Sequence, residues 1–248
     1  MPDDELAFAT IAYQSQLLRR GDLSPVELTQ LYLDRIDAYD EHLNAYLTVT
    51  AERAIASARA AEAAIQGGDW RGPLHGIPVA LKDLFDVVGL PTTAGSIILG
   101  EQIASRDATA ARRLFEAGAI LLGKTQMVEF AFGGAGINHH HGTPWNPWDL
   151  QEHRLPGGSS SGSGVAVSSG LTSAALGTDT GGSVRIPASF DGLVGLKPTF
   201  GRVSNAGVVP LDSTLDSVGP MTRSVGDAAL LYDVIRGPDG EDAATLEQ

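Results

Sequence analysis

The chain has 248 residues, of which 43% are hydrophobic and 19% are charged, and this composition is typical of a globular protein. Its formal net charge of -13 disfavours broad binding to nucleic acid, because a protein of this charge repels the phosphate backbone. The absence of cysteine excludes disulfides, thiolate zinc sites and a cysteine nucleophile, and no apolar run reaches the length of a membrane span.

The first 70 residues are predicted to form a helical segment that packs on a core formed by residues 71–248. Residues 24–27, Ser-Pro-Val-Glu, match a capping box with proline at the first helical position, and an amphipathic helix follows them. The alanine-rich stretch 51–65 predicts a further helix, which ends before a pair of glycines. The acidic N-terminus lacks the basic and apolar parts of a secretion signal, so we expect a cytoplasmic protein without a membrane anchor.

The middle of the chain alternates between patterns typical of strands and of helices. Residues 77–81 and 119–122 are short apolar runs that suit buried strands, and residues 108–118 have the pattern of a helix. Residues 133–147 are rich in Gly, His, Asn and Pro and predict a loop. This alternation favours an α/β or mixed layered fold.

The last third of the chain alternates glycine- and serine-rich loops with stretches of small residues. Ser224 is predicted to cap a final helix, with Asp227 near its positive end and residues 228–235 as its apolar body. The polar tail, residues 237–248, is predicted to be frayed.

Residues 118–125 satisfy the letters of a phosphate-binding P-loop, G-x4-G-K-[ST]. A P-loop needs an open loop of backbone N–H groups after a strand. The residues between these two glycines are Ala, Ile, Leu and Leu, which favour burial. We therefore interpret the segment as a strand and not as a phosphate site.

A serine motif at residues 158–162 fits the G-x-S-x-G pattern of the α/β-hydrolase nucleophile elbow. That fold places its catalytic acid, and then its histidine, after the serine in the chain. All six histidines of this sequence precede Ser160, so a histidine-based site in that order is excluded.

Three consecutive histidines, His139, His140 and His141, are a further candidate site. Neighbouring side chains on a strand point to opposite sides, and zinc ligands are usually spaced apart in sequence. We interpret the three residues as part of a polar loop, and we predict neither a metal nor another cofactor.

A serine hydrolase with this composition needs a base other than histidine, and lysine serves in some serine enzymes. Lys82 directly follows the apolar run 77–81. Burial at that position would lower its pKa and allow the neutral amine to accept a proton. The alternative is a lysine at a strand end whose amine extends into solvent.

Two glycine- and serine-rich blocks carry a family resemblance. Residues 157–164, Gly-Gly-Ser-Ser-Ser-Gly-Ser-Gly, and residues 177–188, Gly-Thr-Asp-Thr-Gly-Gly-Ser-Val-Arg-Ile-Pro-Ala, resemble the amidase signature family. The lysine segment 74–83 and the stretches 146–149 and 192–202 fit the same family. Order, spacing and sequence agree over nearly the whole chain.

The resemblance implies a fold and a catalytic triad. The fold is a mixed β-sheet core covered by helices on both faces. The triad is of the Ser-cisSer-Lys type, with Ser183 as nucleophile, Ser159 as the bridging serine and Lys82 as the base.

Other residues of the two blocks are expected to support the triad. Backbone N–H groups near the nucleophile would stabilise the oxyanion of the substrate. These donors are the N–H groups of Thr180, Gly181, Gly182 and Ser183. Ser160 and Asp179 are expected to be hydrogen-bonded scaffold, and Arg185 is expected to contact either the substrate or the protein.

The function implied by the resemblance is hydrolysis of the C–N bond of a small-molecule amide through an acyl-enzyme, without a cofactor. Ser161 stands where many family members have glycine. The chain ends after roughly the first half of the family's usual span. We therefore expect a core that is incomplete at the C-terminus, and either a homodimer or a missing C-terminal half or partner chain. Two alternatives are the A-type glutaminase component of a tRNA-dependent amidotransferase and a non-catalytic truncated remnant.

Overall fold

The computed structural model describes residues 3–245, which form eight α-helices, one short 3-10 helix and six β-strands. The α-helices, in chain order, are α1 (Asp3–Ala7), α2 (Ile11–Arg20), α3 (Pro25–Leu43), α4 (Ala51–Gln66), α5 (Thr109–Glu116), α6 (Ser161–Ser168), α7 (Arg185–Phe190) and α8 (Val225–Ile235). The strands are β1 (Tyr46–Val49), β2 (Pro78–Lys82), β3 (Ile120–Thr125), β4 (Ala174–Asp179), β5 (Val194–Gly195) and β6 (Ser217–Thr222). The fold is therefore a mixed α/β fold, as predicted.

The six strands form one mixed sheet in the order β1-β3-β2-β4-β6-β5. Strand β2 pairs in parallel with both β3 and β4, and the remaining neighbours are antiparallel. Every residue of β2, β3, β4 and β6 is buried, which explains why these segments lack an alternating polar face. Because β2, β3 and β4 run in the same direction, their carboxyl ends meet at one edge of the sheet.

The capping signals in the sequence are confirmed. Ser24 Oγ accepts the N–H of Val26, and the Ser24 N–H donates to Glu27 at 2.9 Å, so the predicted capping box begins α3. Ser224 Oγ likewise accepts the Asp227 N–H at 3.1 Å at the start of α8. These bonds satisfy backbone donors that the first turn of a helix leaves without partners.

The N-terminal segment contributes to the sheet as well as to the helices. Strand β1 pairs antiparallel with β3, so it forms one edge of the sheet. Tyr32 of α3 is fully buried, and its hydroxyl accepts a hydrogen bond from Ser173 at 3.0 Å. One hydrophobic core includes side chains from both sides of residue 70. None of the helices in the described range has the length and apolarity that crossing a membrane requires.

The prediction of a frayed tail is wrong for residues 237–245. Asp239 accepts hydrogen bonds from Thr109 and Ser204. The Arg113 guanidinium donates to four consecutive backbone carbonyls, those of residues 235–238, at 2.7–2.9 Å. These charged hydrogen bonds to α5 hold the tail, although its composition is polar. Residues 246–248 lie outside the described range.

Candidate active site

Lys82 is the last residue of β2, and its side chain is fully buried. Its Nζ is hydrogen-bonded to Ser159 Oγ at 2.7 Å and to Thr178 Oγ1 at 3.0 Å. Thr178 lies on β4, which is paired in parallel with β2, so both strands deliver polar groups to the same edge of the sheet. A solvent-extended lysine, the alternative considered for this position, is therefore wrong.

The environment of Lys82 favours its neutral form. Burial lowers the pKa of Lys82 from 10.5 to about 7, although the charges of Asp216 and Asp179 oppose this lowering. Among the described residues, no carboxylate forms an ion pair with its amine. A substantial fraction of the amine is consequently unprotonated near neutral pH, as a general base must be.

Ser159 stands at the start of the segment that leads into α6, and it is fully buried. The Gly158–Ser159 peptide bond is cis, in agreement with the geometry that the resemblance implies. A Cβ at position 158 would lie 2.7 Å from the Gly136 backbone nitrogen and 2.9 Å from the Gly133 carbonyl oxygen. Only glycine permits this close approach of two backbones, and the approach fixes the position of Ser159.

Ser183 lies in the turn between β4 and α7 and is 9% exposed. Its carbonyl oxygen accepts the Ser160 N–H at 3.2 Å, which ties the two serine blocks together. Within residues 3–245, no hydrogen bond joins Ser183 Oγ to Ser159 Oγ. The structure thus contains the Lys82–Ser159 contact of the predicted relay, and the Ser159–Ser183 contact is not formed.

Asp179 organises the turn that carries Ser183. Its two oxygens accept the N–H groups of Gly182, Val184 and Arg185, together with Nε and Nη2 of the Arg185 guanidinium. Burial alone would raise the pKa of Asp179, but these hydrogen bonds outweigh it and hold the pKa below its usual value. Asp179 has the scaffold geometry expected of it, and Arg185 makes a contact with the protein.

The backbone donors near Ser183 differ in their availability. The Gly182 N–H donates to Asp179 Oδ1 at 2.8 Å, so this group is already engaged and does not fit the predicted oxyanion role. The N–H groups of Gly181 and Ser183 have no acceptor in the described part of the chain. Gly181 is also exposed, and a Cβ built on it would meet no atom within 4 Å. The turn therefore contains backbone donors that the protein does not use, and at Gly181 it is open to solvent.

Ser160 and Thr178 complete the polar cluster. Ser160 Oγ donates to the Thr178 carbonyl oxygen at 3.4 Å, and a Cβ at Gly177 would lie 2.5 Å from that hydroxyl oxygen. Ser160 is thus packed beneath β4, as expected of a scaffold residue. Thr178 is a partner of Lys82 that was not predicted from the sequence, although its position in the block 177–188 beside Asp179 was a usable signal.

Lys124 occupies the segment that matched the P-loop letters. The segment is the buried strand β3, and the Lys124 amine is hydrogen-bonded to Asp83 at 2.9 Å and to the Pro91 carbonyl oxygen at 3.2 Å. Both side chains of this ion pair are fully buried. A lysine held in this way cannot reach a phosphate, so the interpretation of this segment as a strand is confirmed.

The three histidines lie in the loop predicted for residues 133–147. His139 and His140 are exposed, and His140 Nε2 lies 3.2 Å from Glu129 Oε1. Across the residues that the structure describes, no three or more His, Asp or Glu side chains come together in a group that could hold a metal ion.

A cavity of about 490 Å³ adjoins the cis peptide and is lined by residues 128–130 and 132–139. The Val128 N–H donates to the Ser159 carbonyl oxygen at 3.1 Å, and the Gly158 N–H donates to the Gly134 carbonyl oxygen at 2.8 Å. Phe130 in its wall and the adjacent residue Ala131 have left-handed backbone angles, with φ of 49° and 59°. Such conformations cost free energy and are concentrated at functional sites, so this cavity is the candidate substrate site.

Comparison with known proteins gives a family and several close relatives. The sequence model of the Amidase family matches residues 27–248. A glutamyl-tRNA(Gln) amidotransferase subunit from Moorella thermoacetica is 48% identical over 243 residues, which are 98% of this chain and 50% of that protein. The chain thus spans about half the length of the curated relatives it matches.

Solved structures agree with this result. The peptide amidase from Stenotrophomonas maltophilia superposes with a TM-score of 0.92 at 40% identity. The match covers 98% of this chain and 51% of the peptide amidase. The corresponding glutamyl-tRNA(Gln) amidotransferase subunit from Thermotoga maritima has a TM-score of 0.83 at 39% identity, with 98% and 50% covered.

Proposed function

The chain belongs to the amidase family, and on that premise we propose that it hydrolyses the C–N bond of a small amide through an acyl-enzyme on Ser183. One observation carries the proposal: a fully buried lysine with a pKa of about 7 is hydrogen-bonded at 2.7 Å to Ser159. A buried amine without a carboxylate partner is costly to maintain, and its retention is explained by a role as a base.

In the proposed reaction, protons move along the triad. Neutral Lys82 takes the proton of Ser159, which takes the proton of Ser183, and Ser183 Oγ attacks the carbonyl carbon of the amide. The C–N bond then breaks as the leaving nitrogen receives a proton through Ser159, and an ester on Ser183 remains. Water attacks this ester by the same route and releases the carboxylic acid.

The missing contact between Ser183 and Ser159 is proposed to form when the substrate binds. Catalytic hydrogen bonds are often long or absent in a free enzyme and shorten in the complex. A rotation of the Ser183 side chain is the proposed movement, because the backbone of the turn is already fixed by Asp179 and by Ser160.

The oxyanion is proposed to bind to the N–H groups of Gly181 and Ser183, which have no other acceptor in the described chain. Thr180 stays in the proposed set, and Gly182 is removed from it because Asp179 accepts its N–H. Each donor of this kind typically contributes about 2.7–4 kcal/mol to transition-state stabilisation.

Covalent labelling with a fluorophosphonate tests the proposal. We expect the folded 248-residue chain to be phosphonylated at Ser183 and the Ser183→Ala variant to stay unlabelled, as read by peptide mass spectrometry. Ser161→Ala, which lies in the same serine block as Ser159 and is not assigned to the triad, is the matched control and should label like the wild type. A folded wild-type chain that does not react would contradict the proposal and favour a non-catalytic remnant.

Relatives twice as long as this chain support a proposal about partners. A C-terminal half, supplied on the same polypeptide or as a separate chain, would complete the substrate site, and a homodimer is the alternative. Labelling of the 248-residue chain alone and together with the C-terminal half of a relative distinguishes these cases. The cytoplasm stays the predicted location, and fractionation of the expressing cells tests it.

Transfer of ammonia to charged tRNA is the second candidate function, favoured by the names of several relatives at 48–52% identity. Here glutamine would be the amide, and Ser183 would release its ammonia to a partner protein. Ammonia release from glutamine that rises when partner proteins and charged tRNA are added supports this function. Hydrolysis of simple amides without such a rise supports the stand-alone amidase.

A further inference from the structure

A second cavity, of about 370 Å³, lies at the amino ends of β2 and β3, away from the serine cluster at their carboxyl ends. One face of α4, the loop before β2 and the end of α5 surround it. The side chains that give it chemical character are Arg53, Ser57, Arg71, His75, Asp107 and Phe115. None of these residues takes part in the proposed reaction.

The wall of the cavity contains two arginines and one aspartate, in a chain whose net charge is -13. The Arg53 guanidinium lies 5.7 Å from the centre of the Phe115 ring and donates one N–H to the Val88 carbonyl oxygen at 3.0 Å. Its other N–H groups have no acceptor in the described chain. Asp107, the acidic residue in the wall, accepts the Val88 N–H at 2.8 Å. The arginine is therefore preorganised by ring and carbonyl, and it retains donors for a ligand.

His75 adds a ring N–H donor to the same wall. The residue is 1% exposed, and its Nδ1 accepts the Arg71 N–H at 3.2 Å. With Nδ1 acting as acceptor, the hydrogen of the neutral ring is on Nε2. Nε2 has no partner within residues 3–245. Nε2 is not sealed from solvent, so its N–H can donate to an acceptor that enters the cavity.

Arg71 brings a second guanidinium to the rim of the cavity. Its Nε donates to Asp69 at 3.3 Å, and both side chains of this pair are exposed. An exposed pair of this kind contributes little to stability, so it can give way to a ligand. The Arg71 side chain is therefore available to an anion that also reaches His75.

We propose that this cavity binds the oxyanion of a small organic molecule, a carboxylate or a phosphate, between Arg53, Arg71 and His75. Guanidinium groups pair with such anions through two parallel hydrogen bonds, and the His75 Nε2–H and the Ser57 hydroxyl supply further donors. The Phe115 ring and the alanines of α4 provide an apolar wall for the body of the ligand. The volume of the cavity lies within the range of small-molecule sites, so we expect a small ligand.

Nuclear magnetic resonance of the His75 imidazole tests the site directly, with inorganic phosphate and benzoate as probes at constant ionic strength. We expect a saturable shift of the His75 signals and a rise of the His75 pKa, which burial and Arg71 hold below its usual value in the free protein. A response to phosphate alone assigns a phosphate ligand, and a response to benzoate alone assigns a carboxylate. Failure of both probes to saturate overturns the proposal.

Matched variants of α4 supply the second measurement. Arg53→Gln should weaken the binding of the anion that responds by about tenfold, because one charged hydrogen bond is lost. Arg59→Gln changes the same charge at an exposed position of the same helix and should leave the affinity unchanged. Equal effects of the two variants overturn the proposal. The titration in the Ser183→Ala background should match that of the wild type, so its outcome is independent of the proposed hydrolysis.

Discussion

Lys82 and Lys124 are two fully buried lysines on neighbouring parallel strands, and they differ in their partners. Lys124 is paired with the Asp83 carboxylate at 2.9 Å, whereas Lys82 is hydrogen-bonded to the hydroxyls of Ser159 and Thr178. Burial lowers the pKa of both amines, and at Lys124 the adjacent carboxylate opposes this effect. Lys124 thus joins two strand ends as an ion pair, and Lys82 is available to accept a proton.

The contrast between the two lysines teaches that burial alone does not identify a catalytic lysine. A buried ion pair holds charge in place, and removal of one partner leaves an uncompensated charge. A buried amine among hydroxyls can lose its proton without leaving an unpaired carboxylate behind. Four measurements test this division of roles, in order from the largest expected effect to the smallest.

Lys82→Met should lower the rate of fluorophosphonate labelling at Ser183 by about 10²–10⁴-fold, because the proposed base is lost. The free energy of unfolding in urea should change by less than about 1.5 kcal/mol, since methionine fills a similar volume and leaves no charge behind. A labelling rate within about twofold of the wild type would remove Lys82 from the proposed mechanism.

Lys124→Met should show the opposite pattern and destabilise the fold by about 3–5 kcal/mol, because Asp83 would remain buried without its cation. Urea unfolding measures this loss. The double variant Lys124→Met, Asp83→Asn should recover part of it, since the unpaired charge is gone. If the single variant is as stable as the wild type, the structural role of the ion pair is wrong.

The pH dependence of labelling should follow the lowered pKa of Lys82. The reaction needs the neutral amine, so the rate should fall about tenfold per pH unit below pH 7 and level off above it. The Lys82→Met variant should retain a weak rate without this midpoint. A wild-type rate that keeps rising to about pH 10 would indicate a lysine with an ordinary pKa.

Thr178→Val should have the smallest effect of the four. It removes one of the two hydroxyls beside Lys82 Nζ, a change of about 0.5–1.5 kcal/mol. Because the hydroxyl oxygen favours the protonated amine, the midpoint of the pH–rate curve should move down by up to about one unit. The control is Thr125→Val on the neighbouring strand β3, which removes a buried hydroxyl that is hydrogen-bonded to Ser163 of α6. This variant should leave the midpoint of the pH–rate curve unchanged.

The sequence located four of the eight described helices, and the proposed site residues came from the family resemblance. Capping residues and apolar runs are local signals, and they located α3, α4, α8, β2 and β3 to within a few residues. The triad positions came from the resemblance, and burial of Lys82 followed from the apolar run before it. The helices, the strands and the burial of Lys82 could be predicted because each depended on neighbouring residues, and the triad stays a prediction.

Features that depend on contacts between distant segments were missed. Strand β6 contains Pro220, and a proline argues against a strand within a sheet because it lacks an N–H. The carbonyl oxygen of Pro220 nevertheless accepts the Leu196 N–H. The engagement of the Gly182 N–H by Asp179 depends on how the turn folds back. The ordered tail depends on Arg113, more than 120 residues earlier in the chain. No local pattern contains this information.

Complete burial of Lys82 also bears on a side reaction of the proposed acyl-enzyme. A neutral primary amine reacts with esters, and transfer of the acyl group from Ser183 to such an amine would yield an amide that the site could not readily reopen. The Lys82 amine has no exposed surface and is hydrogen-bonded to two hydroxyls. In the proposed mechanism, its basicity would reach the substrate only as proton movement through Ser159, and acyl transfer from Ser183 to Lys82 would be prevented.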